Sequence, residues 1–152
     1  MSTSTEPTLH EIPRHECWAL LRDAAVGRLA TAIDGHPEIF PVNHVVDHGT
    51  IVIRTAAGTK LETAAGHPVA FEVDGYDVEA GAAWSVVVKG RAVEVTRLHD
   101  VLEVLSLPLF PWHDSVKPHF LRVEADDVSG RRFSVSGGAH RAPVSGGGTS
   151  TR

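Results

Sequence analysis

The sequence predicts a mainly β protein, an antiparallel six-stranded barrel with short helices, and three observations support this fold class. Six segments are rich in β-branched residues or alternate apolar with polar residues, which is the period of a strand. The dipeptides Asp34-Gly35 and His48-Gly49 separate successive strand segments by the two residues of a tight hairpin. The helical segments are few and short, so we expect the sheet to close or nearly close on itself.

The first half of the chain is expected to form one helix and three strands. Residues 13–25 predict a short helix, because Pro13 suits a first turn and Trp18 and Leu21 lie on one apolar stripe. The strands are expected at residues 26–33, 38–47 and 50–55. Pro41 lies inside the second strand and cannot donate a ladder hydrogen bond, so we expect it at an edge, at a bulge or beside a ligand.

The second half continues with short helices and three further strands. Thr59 and Glu62 have the spacing of a capping box, which predicts a short helix beginning at Thr59. Strands are expected at residues 69–74, 84–96 and 120–128, and residues 130–133 trail from the last of them. The segments between these strands are expected to form a loop at 75–83, a helix at 97–106 and a loop at 107–118. We expect Gly90 to bend the strand at 84–96.

Length and charge indicate one acidic domain. The chain has 152 residues and a formal net charge of −5. We expect a disordered N-terminus at residues 1–9, one domain at 10–133 and a disordered Gly/Ser-rich tail at 134–152. Residues 1–133 hold 12 basic and 19 acidic residues, a formal charge of −7. Phosphates repel such a domain, so neither nucleic acid nor an anionic membrane is an expected partner.

Cysteine usage and hydropathy favour a cytoplasmic protein. Cys17 is the sole cysteine, which excludes an intrachain disulfide or a cysteine-based zinc site. No run approaches 18 apolar residues, and residues 1–8 lack the basic-then-apolar pattern of a secretion signal. We therefore expect a cytoplasmic location.

The strongest local signal for a binding site lies at the end of the third strand. Thr55 ends this strand, a glycine-containing turn follows, and Thr59 and Lys60 begin the next helix. Free N–H groups at a helix start favour an anion such as a phosphate, and Lys60 would add a positive charge. An ordinary capped turn with a solvated lysine explains the same residues.

Two other segments give weaker signals. Asn43 follows Pro41 and Val42 and brings an amide donor and acceptor into a strand, although an edge strand alone explains the proline. Trp84, followed by Ser85, can stack on a planar ligand or pack in the core. No histidine spacing predicts a metal site, and no pattern predicts a catalytic nucleophile, acid or base.

The order of these features resembles the pyridoxamine 5′-phosphate oxidase-like, FMN-binding split-barrel family. The likeness is greatest to its small actinobacterial members, which are related to nitroimidazole-resistance flavoproteins, and it covers about residues 10–133. The motifs that carry it are Val26-Gly27-Arg28-Leu29-Ala30, Ile39-Phe40-Pro41-Val42-Asn43, Ile53-Arg54-Thr55, Gly58-Thr59-Lys60-Leu61 and Trp84-Ser85-Val86-Val87-Val88-Lys89-Gly90-Arg91-Ala92.

The resemblance implies a homodimer of six-stranded split barrels with FMN in clefts at the subunit interface. The implied cofactor contacts are Pro41, Val42, Asn43, Trp84 and Ser85 around the flavin ring, Thr55, Thr59 and Lys60 at the phosphate, and Arg54 as a candidate arginine partner.

The function that the resemblance implies is an oxidoreductase that uses FMN for hydride or electron transfer to a small molecule. The chain lacks the terminal Arg-Leu-x-Pro of the pyridoxal phosphate-forming oxidase, so we do not expect that activity. A deazaflavin-dependent reductase of the same fold is one alternative. A non-catalytic flavin- or haem-binding dimer is another, with His44, His113 and His119 as candidate haem ligands. A split barrel without a ligand is the last.

Overall fold

The fold is a closed antiparallel barrel, seen in a computed structural model that describes residues 9–55, 60–96 and 119–135. The elements are β1 (Leu9–Glu11), α1 (Arg14–Asp23), β2 (Val26–Ile33), β3 (His36–Asp47), β4 (Thr50–Thr55), the 3₁₀ helix η1 (Lys60–Ala64), β5 (Pro68–Asp77), β6 (Ala82–Glu94) and β7 (His119–Ser134). The sheet order is β1-β7-β4-β3-β2-β5-β6, and a further pairing of β6 with β7 closes the ring. The predicted antiparallel barrel is therefore confirmed: β2 to β7 form its six strands, and β1 adds a short strand on β7.

Tight turns connect the first three strands of the ring. Asp34 and Gly35 have φ values of 53° and 74°, and His48 and Gly49 have φ values of 46° and 71°. Two successive positive φ values match the twist of a two-residue hairpin, which explains why both dipeptides predicted turns. The bounds of β2 and β4 agree with the prediction, and β3 begins two residues earlier than expected, at His36.

The hydrophobic core fills the barrel interior. Its fully buried side chains include Leu29, Ile51, Ile53, Phe71, Val73, Val86, Val88, Leu121 and Val123. Helix α1 packs against β3, β6 and β7 and contributes Leu21 and Cys17, neither of which is exposed. Burial raises the pKa of the Cys17 thiol, as expected for an inert core cysteine.

The loop predicted at residues 75–83 is wrong. β5 continues to Asp77 and β6 begins at Ala82, so a four-residue turn joins them. Gly75 pairs with Trp84 in this hairpin, and a Cβ at Gly75 would collide with the Trp84 indole. The glycine that indicated a loop is needed here because another side chain lies over the backbone.

The last strand is longer than predicted. Residues 119–134 form the continuous strand β7, and it includes residues 130–133 that were expected to trail from it. The register between β6 and β7 shifts at Gly90, where the extra residue, Asp126, belongs to β7, and a Cβ at Gly90 would collide with the Glu124 carbonyl. The bend expected in β6 stays a prediction. β1 was not predicted, because three residues are too few to show a period.

Some expectations fall on other parts of the chain. The helix predicted at residues 97–106 and the loop at 107–118 lie outside the described residues, as do most of the two termini expected to be disordered. Among the described helices, none has the length and apolar character needed to cross a membrane.

Candidate functional site

The pairing between β3 and β4 is incomplete, which opens the barrel wall. These strands form four residue pairs, and the last of them joins His44 to Ile53. Before His44, β3 continues beside β2, and after Ile53, β4 continues beside β7. Residues 41–43 and 54–55 border this opening, which we call the split. Pro41 lies on it, so its expected edge position is confirmed.

Five of the expected cofactor contacts border the split. Asn43 and Arg54 are the first residues beyond the ladder, and both face outward with half-buried side chains. Pro41 also faces outward and is exposed. Val42 and Thr55 face inward and are buried in the barrel. The side chains of Asn43, Arg54 and Pro41 therefore lie on the outer face of the barrel, whereas that of Val42 lies in the core.

The expected phosphate segment is described in part. The hydroxyl of Thr55 donates to the carbonyl of His119 at 3.4 Å, so it is engaged within the sheet. Thr59 lies outside the described residues. η1 begins at Lys60, directly after the expected start, although it is a 3₁₀ helix. The strand thus ends at Thr55 and a helix begins at Lys60, whereas the connection at residues 56–59 lies outside the described residues.

Trp84 and Ser85 lie on a different part of the barrel. Their strand, β6, is separated from β3 by β5 and β2 and from β4 by β7, which is about 14 Å and about 10 Å along the sheet. Trp84 faces inward and packs against the core, whereas Ser85 faces outward beside Asp74 and Arg131. Within one chain, these two residues do not meet the residues at the split.

The outward face beside the split carries two exposed apolar side chains on either side of an arginine that is paired with carboxylates. Val26 and Ile39 are 52% and 69% exposed. Arg28 lies between them on the same face and forms ion pairs with Glu72 at 2.5 Å and Asp74 at 2.9 Å. The hydrogen bond to Glu72 raises the pKa of Arg28 above its usual value. We call Val26, Arg28 and Ile39 the outer patch, and its composition suits contact with another protein surface.

A buried imidazole holds the end of α1. His44 is 4% exposed, and its Nε2 donates to the carbonyl of Leu21 at 2.8 Å. Its ring meets the ring of Phe71 edge-on at 4.7 Å. Burial lowers the pKa of His44, so the ring is neutral and Nδ1 carries a lone pair. His44 is thus a structural residue, because its one N–H holds the carbonyl of Leu21.

A small cleft lies beside His44, between the end of α1 and β3. It measures about 300 Å³ and is lined by Arg22, Asp23, Ala24, Ala25, His44, Val45 and Val46. Pockets for drug-sized ligands span roughly 300–1,000 Å³. The cleft is therefore too small to enclose a whole flavin nucleotide.

The sequence did not reveal one cluster of chemically active side chains. Glu62 of η1, Glu94 at the end of β6 and His119 at the start of β7 place ligand atoms within 4.8 Å of one another. His119 is the ladder partner of Thr55, so the cluster lies beside one border of the split. No spacing could have predicted it, because its members are far apart in sequence and meet only when the barrel closes.

The closed six-stranded barrel with an interrupted β3–β4 ladder defines a split-barrel protein. A family model described as pyridoxamine 5′-phosphate oxidase matches residues 13–132. The chain belongs to this family, and the resemblance inferred from its motifs is confirmed.

Solved structures share this fold. A FAD binding protein from Mycobacterium smegmatis has a TM-score of 0.77 and 41% sequence identity, covering 82% of this chain and 98% of that chain. A FAD-binding protein from Mesorhizobium loti has a TM-score of 0.70 and 29% identity, covering 85% and 99%. A candidate 5-nitroimidazole antibiotic resistance protein from Bacteroides thetaiotaomicron has a TM-score of 0.65 at 12% identity, covering 86% and 91%, and it shows the fold alone.

Proposed function

We propose that this chain is a homodimeric flavin-binding oxidoreductase whose flavin lies along the split, at the interface between two copies. The observation that carries the proposal is the position of Asn43 and Arg54. They face outward at the end of the β3–β4 ladder, half-buried, next to the exposed outer patch. The similarity to two proteins described as FAD-binding supports the choice of a flavin.

The outer patch supports the second copy. Ile39 and Val26 leave apolar surface exposed, which association would remove from water. Arg28 is already paired with Glu72 and Asp74, so burying its guanidinium does not leave that cation without a partner. A two-fold interface would bury this patch on both copies at once.

The distance of Trp84 and Ser85 from the split also supports a dimer. One chain holds them about 14 Å from β3 along the sheet. If they border the flavin as the family resemblance implies, they belong to the copy that contributes the opposite wall.

The residues at the split have separate roles in this proposal. A bound flavin supplies hydride or electron transfer to a small-molecule substrate. Asn43 offers an amide donor and acceptor to the polar edge of the ring. Arg54 places a cation where negative charge develops when the ring is reduced, which stabilises the reduced form. Lys60, at the start of η1, provides positive charge for the phosphate.

The split residues fit both common flavin nucleotides. FMN and FAD share the ring and its adjoining phosphate, so Asn43, Arg54 and Lys60 serve either one. FMN is the cofactor that the motifs imply, and the relatives described as FAD-binding support FAD. A deazaflavin with an oligoglutamate tail is less favourable, because residues 1–133 carry a formal charge of −7.

Equilibrium titration of the purified full chain tests this proposal. Binding of FMN, FAD and the deazaflavin is followed by quenching of their fluorescence. Asn43→Ala and Arg54→Ala should each weaken flavin binding about tenfold, the loss of one hydrogen bond to a polar or charged group. Arg14→Ala removes an exposed cation from α1 and should change nothing.

Three outcomes would contradict the proposal. The first is a chain that binds no flavin. The second is an Arg14→Ala variant that loses as much affinity as Arg54→Ala. The third is a Soret band on addition of haem in a chain without flavin affinity, which would instead support the haem-binding alternative.

A further inference from the structure

We propose that Glu62, Glu94 and His119 form a binding site for one divalent transition-metal ion of the zinc class. The Nδ1 atom of His119 lies 3.6 Å from Oε1 of Glu62 and 3.5 Å from Oε1 of Glu94. All three ligand atoms lie within 4.8 Å of one another. The site is independent of the proposed flavin site, since none of its three side chains is an expected flavin contact.

The barrel holds two of the ligands in place through the backbone. His119 pairs with Thr55, whose hydroxyl donates to the His119 carbonyl at 3.4 Å. Glu94 pairs with Leu121 on the adjoining strand. A metal site on paired strands needs little reorganisation, because the ladder already fixes the direction of each side chain.

Hydrogen bonds also hold η1, which carries the third ligand. The N–H of Gly66 donates to the carbonyl of Ala92 at 2.7 Å, and the N–H of Ala92 donates to the carbonyl of His67 at 3.1 Å. These bonds tie the segment after η1 to β6, two residues before Glu94. Glu62 and Glu94 therefore belong to segments that are bound to each other.

The separations within the cluster are longer than those of strong charge-assisted hydrogen bonds. Such bonds between a ring nitrogen and a carboxylate oxygen span about 2.7–2.9 Å. Ligand atoms about 2.0–2.1 Å from a tetrahedral zinc ion lie about 3.3 Å from one another. The 3.5 and 3.6 Å separations are closer to the second arrangement, and side-chain movements that bring the two carboxylate oxygens, now within 4.8 Å, to the same spacing would let a cation fit among the three atoms.

The donor set indicates the class of metal. One imidazole nitrogen with two carboxylate oxygens suits zinc and its neighbours in the first transition row, whereas Mg²⁺ and Ca²⁺ prefer oxygen ligands alone. Two carboxylates side by side also concentrate negative charge, which a dication offsets. The side chains are one-third to two-fifths exposed, so an ion can reach them and keep a water as a fourth ligand.

Zn²⁺ titration of the untagged, chelator-treated full chain tests this assignment. Isothermal titration calorimetry should show one Zn²⁺ bound per chain. Glu94→Gln and His119→Gln should each weaken it by about tenfold or more, at least the cost of losing a supporting group of a metal site. Glu79→Gln and His10→Gln are the matched controls, because Glu79 is exposed just before β6 begins and His10 is exposed opposite Arg132 near the end of β7, away from Glu94 and His119.

A spectroscopic signal and a folding control accompany the titration. Co²⁺ added to the wild type should give the visible bands of a four-coordinate ion, and Glu94→Gln should abolish them. Circular dichroism without metal verifies that each variant is folded. If Glu94→Gln or His119→Gln does not fold, Glu62→Gln is titrated in its place. A wild-type chain that binds no Zn²⁺ overturns the assignment. Equal binding by the cluster variants and the two controls also overturns it.

Discussion

Replacing Ile39 with serine should dissociate the proposed dimer. Ile39 is 69% exposed on the outer patch of a single chain. Full burial of such a side chain stabilises by about 1.5–3 kcal/mol, so the part still exposed represents about 1–2 kcal/mol. A two-fold interface contains Ile39 twice, which gives about 2–4 kcal/mol. The dimer dissociation constant should therefore rise by about 30-fold to about 700-fold.

Sedimentation velocity over a range of protein concentrations measures this constant. Leu9→Ser is the matched control, because Leu9 is 60% exposed on β1, which pairs with β7 and carries no residue of the outer patch or of the proposed flavin contacts. The control should leave the dimer intact. A wild type that sediments as a monomer would refute the reasoning. So would an Ile39→Ser variant that associates as tightly as the control.

Two stability predictions concern His44 and Gly90. Burial holds the pKa of His44 below its ordinary 6.5, so as the pH falls His44 takes up a proton in the unfolded chain before it does so in the folded chain. The contribution of neutral His44 to the free energy of unfolding is therefore complete above pH 6.5 and is lost as the pH falls below 6.5. Urea unfolding at a series of pH values measures this loss, and His44→Leu should reduce it. A pH dependence that is the same in His44→Leu as in the wild type would contradict the assignment. Gly90→Ala should lower the free energy of unfolding by about 1–3 kcal/mol, because the added Cβ collides with the Glu124 carbonyl. The control Ser129→Ala, on the exposed face of β7, should lower it by less than about 0.5 kcal/mol in the same urea assay.

Local patterns predicted the elements of this barrel well where the deciding interactions are local. Asp34-Gly35 and His48-Gly49 adopt the positive φ values that their hairpins need. The end of β2 agrees with the prediction because the Asp34-Gly35 turn follows it directly. Gly75 misled the prediction, since the packing of Trp84 over its backbone is a tertiary contact.

The candidate site was predictable in part for a similar reason. Asn43 and Arg54 come from motifs whose order identified the family, and both face outward beside the split. The side chain of Thr55 faces inward because successive side chains of a strand point to opposite faces of the sheet, and that of Arg54 faces outward. The cluster of Glu62, Glu94 and His119 follows from closure of β6 against β7 and has no sequence signal.

The absorbance spectrum of the untagged chain, mixed with FMN or FAD and then desalted, tests the central claim most directly. We predict that the flavin bands stay with the protein, with one flavin bound per chain and the protein dimeric. A colourless protein that retains neither flavin would contradict the account.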